Sequence, residues 1–365
     1  MIKLLYITNS ISGAGGLERV LATKASYLAE LMDYEVHIVT LNQNDAQLFY
    51  DFSLKLIYHD IKAEGNALSY FMQYWGGIKA VVNKIKPDII SVCDDGLKGL
   101  FLPLLLNKPC SMIYERHVSK LIEIGNRPGF IKKGMTGLKF WLMDRLAGNF
   151  DRFVILTKDN SLEWNLKNLI IISNPLSFYP SEVSTLENRQ VIAVGKQSFQ
   201  KGFDRLLKSW VIVQAKNPDW RLSIYGKFDE SQGLVSQALK LGIKATVDFF
   251  EPVSNIQEKY QESSIYVLSS RFEGFGMVLI EAMACGLPCV SFDCPYGPKD
   301  IISDNLDGFL VANDDISGLA DRINTLIENK QLRFKMGRNG RTNVKVFSLQ
   351  NIMPKWDQLF KNLVQ

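Results

Sequence analysis

The chain has 365 residues, of which 47% are hydrophobic and 22% charged; this is too long for one ordinary core, and a globular protein of two domains is expected. Its formal net charge of +4 is too mild to argue for a nucleic-acid partner. The five cysteines, Cys93, Cys110, Cys285, Cys289 and Cys294, form no C-x-x-C pair, so reduced, mostly buried thiols in a cytoplasm are expected rather than disulfides or a metal site.

In chain order the pattern is strand then helix, repeated. "MIKLLYITNS" has an apolar run too short for the core of a signal peptide and reads as a first strand. "GGLERVLATKASYLAEL" is an amphipathic helix with Leu17, Val20, Leu21, Ala25, Leu28 and Leu31 on one face. "EVHIVTL" is a strand, "GGIKAVVNKIKP" a helix ended by Pro87, and "DIISVC" another strand. "GLFLPLLLNKP" is apolar but short and carries Pro103, so it cannot span a bilayer. "MIYERHVSK" ends a strand with Glu115, Arg116 and His117; the tip of a parallel strand is where such sheets bind ligands. Between 127 and 145, Arg127, Lys132, Lys133, Lys139 and Arg145 alternate with Phe130, Ile131, Leu138, Phe140, Trp141 and Leu142. Two readings stand for that segment: a basic helix lying on an anionic membrane, or a core-packed helix whose cations face water.

The pattern restarts after Asn174-Pro175. "RQVIAVG" is a strand, "FDRLLKSWVIVQAKNP" a helix, and "WRLSIYG", "ATVDFFE", "SIYVLSS" and "PCVSFD" are strands. Such alternation argues for parallel sheets covered on both faces. The Pro-bearing polar segment "SNPLSFYPSEVSTLENR" reads as a hinge. The expected division is 1–175 and 176–346, with a helix around Trp356 in 347–365.

The chemistry concentrates in "SRFEGFGMVLIEAMACGLP". A strand, a turn with Gly274 and Gly276, and a helix start form the local geometry that holds anions. The N–H groups of Phe275, Gly276 and Met277 point outward with the helix dipole behind them. Glu281 lies about one and a half turns further, roughly 7 Å along the axis, the separation of a diphosphate from its ribose. Glu273 precedes the helix, placed for the group on the far side of the phosphate. Spacing alone leaves open that both acids are merely exposed near a helix N-terminus.

"FEGFGMVLIEAMACGLPCVSFD" resembles the E-x7-E signature of family-4 retaining glycosyltransferases of the GT-B fold. "GAGGLERV", "VGKQSFQKGFDRLL" and "CPYGPKDIISDNLDGFLV" resemble other motifs of that family, in order and over nearly the whole chain. The resemblance implies two Rossmann-like domains facing across a cleft, with the last helix returning to the first domain. It implies that Glu281 binds ribose hydroxyls, that Glu273 lies against the transferred sugar, and that the amides of Phe275, Gly276 and Met277 hold the distal phosphate beside Gly274 and Gly195. Lys201 matches the family's phosphate lysine. Lys196 stands where an Arg is usual, which keeps the charge but loses the planar two-pronged contact. Gly15 and Gly16 are placed near donor phosphate and acceptor, His117 against the donor sugar, and Arg19 and Arg116 near phosphate or acceptor.

The implied reaction is transfer of a hexosyl residue, with anomeric retention, from a nucleotide diphosphate sugar, UDP-linked by preference, to a hydroxyl of a cell-surface glycan or lipid-linked oligosaccharide. A front-face mechanism is implied, with no cofactor, and the absence of a D-x-D motif fits transfer without a metal. The implied location is cytoplasmic, peripheral on the plasma membrane if 127–145 meets it. A nucleotide-sugar epimerase of the same fold and a non-catalytic nucleotide-sugar-binding protein are the rival readings. The sequence carries no indication of oligomeric state.

Overall fold

The computed structural model describes residues 1–94, 96–123 and 130–365, and for 123 and 130–135 the backbone alone. It divides into two compact units, Met1–Pro175 with Leu349–Gln365, and Leu176–Ser348.

In the first unit the order is β1 (Ile2–Ile7), α1 (Gly16–Leu31), β2 (Tyr34–Leu41), β3 (Ile57–Ile61), α2 (Ala67–Ile85), β4 (Ile89–Val92), α3 (Leu97–Leu100), α4 (Leu102–Leu106), β5 (Ser111–Glu115), α5 (Phe130–Ala147), β6 (Arg152–Ile155) and β7 (Leu169–Ile171). The second unit holds β8 (Gln190–Val194), α6 (Phe203–Lys216), β9 (Arg221–Tyr225), α7 (Leu234–Lys240), β10 (Val247–Phe250), α8 (Ile256–Gln261), β11 (Ile265–Leu268), α9 (Met277–Ala284), β12 (Cys289–Asp293), α10 (Pro298–Ile301), β13 (Gly308–Ala312), α11 (Ile316–Glu328) and α12 (Lys330–Asn343). The chain ends with α13 (Leu349–Val364), which belongs to the first unit.

Each unit carries one parallel sheet. The strand orders are β3-β2-β1-β4-β5-β6-β7 and β10-β9-β8-β11-β12-β13. Sheets covered on both faces need strands apolar on both sides, and β4 and β11 are buried at every residue. In the first unit, α1 and α13 cover one face: Trp356, Met353 and Phe360 pack with Leu4, Tyr6 and Leu21. Tyr74, Ile78 and Val82 of α2 and Met143 and Leu146 of α5 cover the other. The second unit builds its core around Trp210, Leu222 and Val290. In both sheets the strand order reverses at one place, between β1 and β4 and between β8 and β11. There the loops leaving the strand ends diverge and open a crevice, the usual ligand position of such folds.

Several elements differ from the sequence expectation. Helix α2 starts at Ala67, well before Gly76, capped by the Asn66 side chain, which accepts from the Ser69 N–H at 2.9 Å. The Gly76-Gly77 pair does not break it, because α2 passes close over β3. A Cβ on Gly77 would stand 2.5 Å from the Ile61 side chain, so only glycine fits that approach. Leu31 is 69% exposed, and Lys24 takes a place inside the apolar stripe of α1 at 1% exposure. Strands β3, β6, β7 and β13 are additional.

The segment expected as a hinge is strapped to the second unit. Ser184 N–H donates to the Cys285 carbonyl at 2.9 Å, Arg333 donates to the Leu186 carbonyl at 3.1 Å, and Leu186 is buried. All five cysteines are free thiols, four of them buried. No helix of the described residues is long and apolar enough to cross a membrane.

Candidate functional site

In the second unit, Gly195 follows β8 and the segment Ser269–Gly276 follows β11, so both sit at the crevice where the sheet order reverses. The alkyl chain of Lys201 lies over Gly195, 3.0 Å from where a Cβ would stand. Its ammonium reaches Glu273 Oε1 at 2.7 Å, and Ser270 Oγ donates to the same oxygen at 2.5 Å. Glu273 is 5% exposed. A carboxylate so buried is tolerated because an ammonium and a hydroxyl neutralise and bond it. Its backbone is held too, the Glu273 N–H donating to the Pro295 carbonyl at 2.7 Å.

Helix α9 opens four residues later. Gly276 has φ +101°, a left-handed turn that other residues adopt only with strain. This turn aims the first amides of α9, which have no partner within the helix, out of its N-terminus. Phe275, just before this turn, has its ring buried edge-on against Phe347 at 5.4 Å. Glu281 lies in the second turn of α9 at 2% exposure, with the Tyr260 hydroxyl donating to its Oε2 at 3.3 Å. Both acids are thus buried, and the alternative of two solvated surface carboxylates does not hold. The thiol of Cys294 is pushed well up, by burial first and then by the charge of Glu273. Lys196 is exposed on the loop after β8, with Asp229 within its electrostatic reach.

In the first unit, Gly15 and Gly16 open α1 at the end of the loop leaving β1. The Glu18 carboxylate folds back over that loop, 2.5 Å from where a Cβ on Gly15 would stand. A cavity of about 540 Å³ lies there at the sheet reversal, lined by Thr8, Asn9, Ser10, Glu18, Asp94 and Lys98 among others. Arg19 is nearly buried and stacks on Tyr50 at 4.6 Å. Arg116 turns toward its own loop, its Nε donating to the Val118 carbonyl at 2.9 Å. His117 follows β5, its Nε2 at 3.3 Å from Glu115 Oε2.

Residues 180–343 match the model of the glycosyl transferases group 1 family. That match lies within the second unit. This glycosyltransferase is similar, at 29% identity over 98% of its own length and 99% of the relative's, to an uncharacterized glycosyltransferase of Haemophilus influenzae. It is similar at 28% identity, over 98% and 99%, to the amylovoran biosynthesis glycosyltransferase AmsD of Erwinia amylovora. Its fold is similar to that of HepE of Anabaena, solved in complex with UDP-glucose, with a TM-score of 0.80 at 18% identity over the whole of both chains. The fold is GT-B, two Rossmann-like units each built on a parallel sheet.

The structure of the glycosyltransferase adds residues that motif reasoning missed. Ser270 and Tyr260 hold the two acids of the signature, and Tyr260 comes from α8, which has no motif. Asn9 and Asp94, joined by a 3.1 Å hydrogen bond, line the first-unit cavity; polar residues directly after apolar strand runs were the available signal. Arg271 clamps Asp204 of α6 through both guanidinium nitrogens, at 2.9 and 2.7 Å, and so fixes the loop that carries Glu273.

Proposed function

We propose that this glycosyltransferase moves a hexosyl residue from a UDP-sugar to a hydroxyl of a cell-surface glycan or lipid-linked oligosaccharide, with anomeric retention and without a metal ion. The observation that carries the reading is the Lys201–Glu273 ion pair beside the open N-terminus of α9, with a second buried carboxylate, Glu281, further along the same helix. The α9 amides and the cations of Lys201 and Lys196 supply what a departing diphosphate needs as its charge grows. Glu281 suits the two hydroxyls of a ribose, since a carboxylate accepts from both. Glu273 Oε1 already accepts from an ammonium and a hydroxyl. A carboxylate so occupied is a poor nucleophile, which favours a front-face route in which the leaving phosphate oxygen takes the acceptor proton.

HepE was solved with UDP-glucose, and this guides the choice of donor; AmsD is named for amylovoran biosynthesis, and this guides the choice of acceptor. The polar first-unit cavity suits sugar hydroxyls, and we assign the acceptor to it. A lipid-linked acceptor brings the enzyme to the cytoplasmic face of a membrane. On α5, Leu138 and Trp141 are 67% and 63% exposed and Arg145 is also exposed; the remainder of 127–145 lies in part outside the described residues. The deciding test is calorimetric titration of UDP. Wild type is expected to bind, and Glu281→Ala to bind at least 10-fold more weakly, about 1.4 kcal/mol. Equal affinities overturn the ribose assignment. Inverted configuration at the anomeric carbon of the product, read by NMR, overturns retention.

A further inference from the structure

We propose that Glu115 and Lys24 are positioning residues for His117: a buried Lys–Glu pair that fixes the ring's orientation and keeps the proton on Nε2. The inference rests on the proposed function together with the placement that the family resemblance implies, His117 against the donor sugar. Lys24 rises from α1 and Glu115 ends β5, and both side chains are 1% exposed. They form a direct ion pair through Glu115 Oε2, the oxygen that also faces His117 Nε2 at 3.3 Å. Ser91 Oγ of β4 donates to Oε1 at 2.6 Å. The Lys24 ammonium stands 3.8 Å from the Trp356 ring of α13 and 5.0 Å from the Tyr6 ring of β1. Four elements besides β5 therefore converge on one carboxylate or its cation.

Burying such a pair costs several kcal/mol per ion before attraction is counted, and a hydrophobic pair of the same volume is often as stable. The arrangement is better explained by what it orients than by what it stabilises. An ionised carboxylate only accepts hydrogen bonds. The nitrogen facing it must carry the proton, so the other ring nitrogen is left with its lone pair unless the ring is charged. Burial pushes the Glu115 carboxyl up, but the Lys24 ammonium and then His117 outweigh it and hold it down at about 2. The Tyr6 hydroxyl, which also faces Glu115, is driven well above its ordinary value by burial and then by the Glu115 charge, and so stays neutral. Cys93, Glu115 and His117 offer three ligand atoms within 4.8 Å of one another. A cation there would have to displace the Lys24 ammonium, so the cluster reads as a support for His117 and not as a metal centre.

The chain has three histidines, His37, His59 and His117, so nitrogen-15 NMR of the histidine-labelled full chain resolves each ring. His117 is identified by the signal lost in His117→Ala. Wild type is expected to show the Nε2–H signature at His117; Glu115→Gln and the gentler Ser91→Ala are expected to move it and leave His37 and His59 in place. An unmoved His117 spectrum in both variants overturns the proposal. Hydrolysis of UDP-glucose without acceptor gives the second readout. Each substitution is expected to lower kcat about 10-fold with KM unchanged, and to cost nothing more in a His117→Ala background. Equal losses in both backgrounds mean that the pair acts on the fold and not through His117. If Glu115→Gln does not fold, Ser91→Ala carries both measurements. Failure of wild type to bind UDP refutes the reading of the function instead, and leaves the NMR result to decide this proposal.

Discussion

Each unit of this glycosyltransferase places a lysine–glutamate pair at the carboxyl edge of its parallel sheet, and the two pairs differ in their access to water. Lys24 and Glu115 are both 1% exposed, covered by the rings of Trp356 and Tyr6. Lys201 and Glu273 are 18% and 6% exposed. The sealed pair, with Ser91 and His117 as the further partners of its carboxylate, has no access to a ligand in solution and acts as fixed scaffold. A pair at the mouth of a crevice can exchange, and Lys201 can leave Glu273 for a phosphate while Ser270 still bonds the acid. On the proposed function, the difference separates a charge pair that shapes a site from one that works in it.

The sharpest way to break this comparison is to remove one lysine from each pair. Lys24→Ala leaves Glu115 charged and buried, and is expected to cost the first unit about 3–5 kcal/mol. Hydrogen exchange of the core amides of β1, β4 and β5 reads that loss. A cost under about 1 kcal/mol would mean that Glu115 finds water or another cation, and that the pair is not sealed.

Acid tests the same pair without mutation. The folded-state value of Glu115, at about 2, lies below the ordinary 4.5. Its contribution is therefore whole above about pH 4.5 and is lost as the pH falls toward 2, a change of about 3 kcal/mol. A first unit whose stability, read by the same amides, stays level from pH 5 to 2.5 would contradict the depressed value.

Lys201→Ala is expected to do the reverse of Lys24→Ala. Turnover falls by about 2–4 kcal/mol in the barrier. The melting temperature falls less than in Lys24→Ala, because Lys201 is 18% exposed and Ser270 still donates to the acid. Steady-state hydrolysis of a UDP-sugar and a melting curve on the same sample check both halves. A variant that loses stability and keeps turnover would assign Lys201 to scaffold.

The sheets and the E-x7-E helix were legible because each carries its signal locally: apolar runs for strands, Gly276 for the turn, and Gly286 and Pro288 to end α9. What holds the acids was not, because Tyr260 and Ser270 act by proximity in space. Lys24 was missed although it left a signal. It stands in the apolar stripe of α1 with Val20, Leu21, Ala25 and Leu28, and a lysine in such a stripe signals a buried partner. Helix α2 was read short because Gly76-Gly77 looks like a break; its reason, the Ile61 side chain beneath, lies in β3. Arg19 and Arg116 were expected near phosphate or acceptor. That the first stacks on Tyr50 and the second bonds its own loop depends on tertiary packing.

The smallest expected effect bears on Glu281, which the comparison leaves between the two pairs. It is as buried as Glu115, yet it lies on the same helix that serves the working pair. Tyr260→Phe removes the hydroxyl that donates to Glu281 Oε2 at 3.3 Å and keeps the ring, which packs edge-on against Tyr266 at 6.0 Å. A neutral hydrogen bond of this kind contributes about 0.5–1.5 kcal/mol. If the bond orients the carboxylate for a ribose, the loss falls on UDP affinity, a few-fold by calorimetry, with the melting temperature almost unchanged. If Glu281 is scaffold in the manner of Glu115, the loss falls on stability and UDP binds as before. Structure supplies the reason to expect the first outcome: Glu281 sits in the second turn above amides that have no helical acceptor, where an anion is drawn in, whereas Glu115 is closed off by its lysine and the two aromatic rings over it.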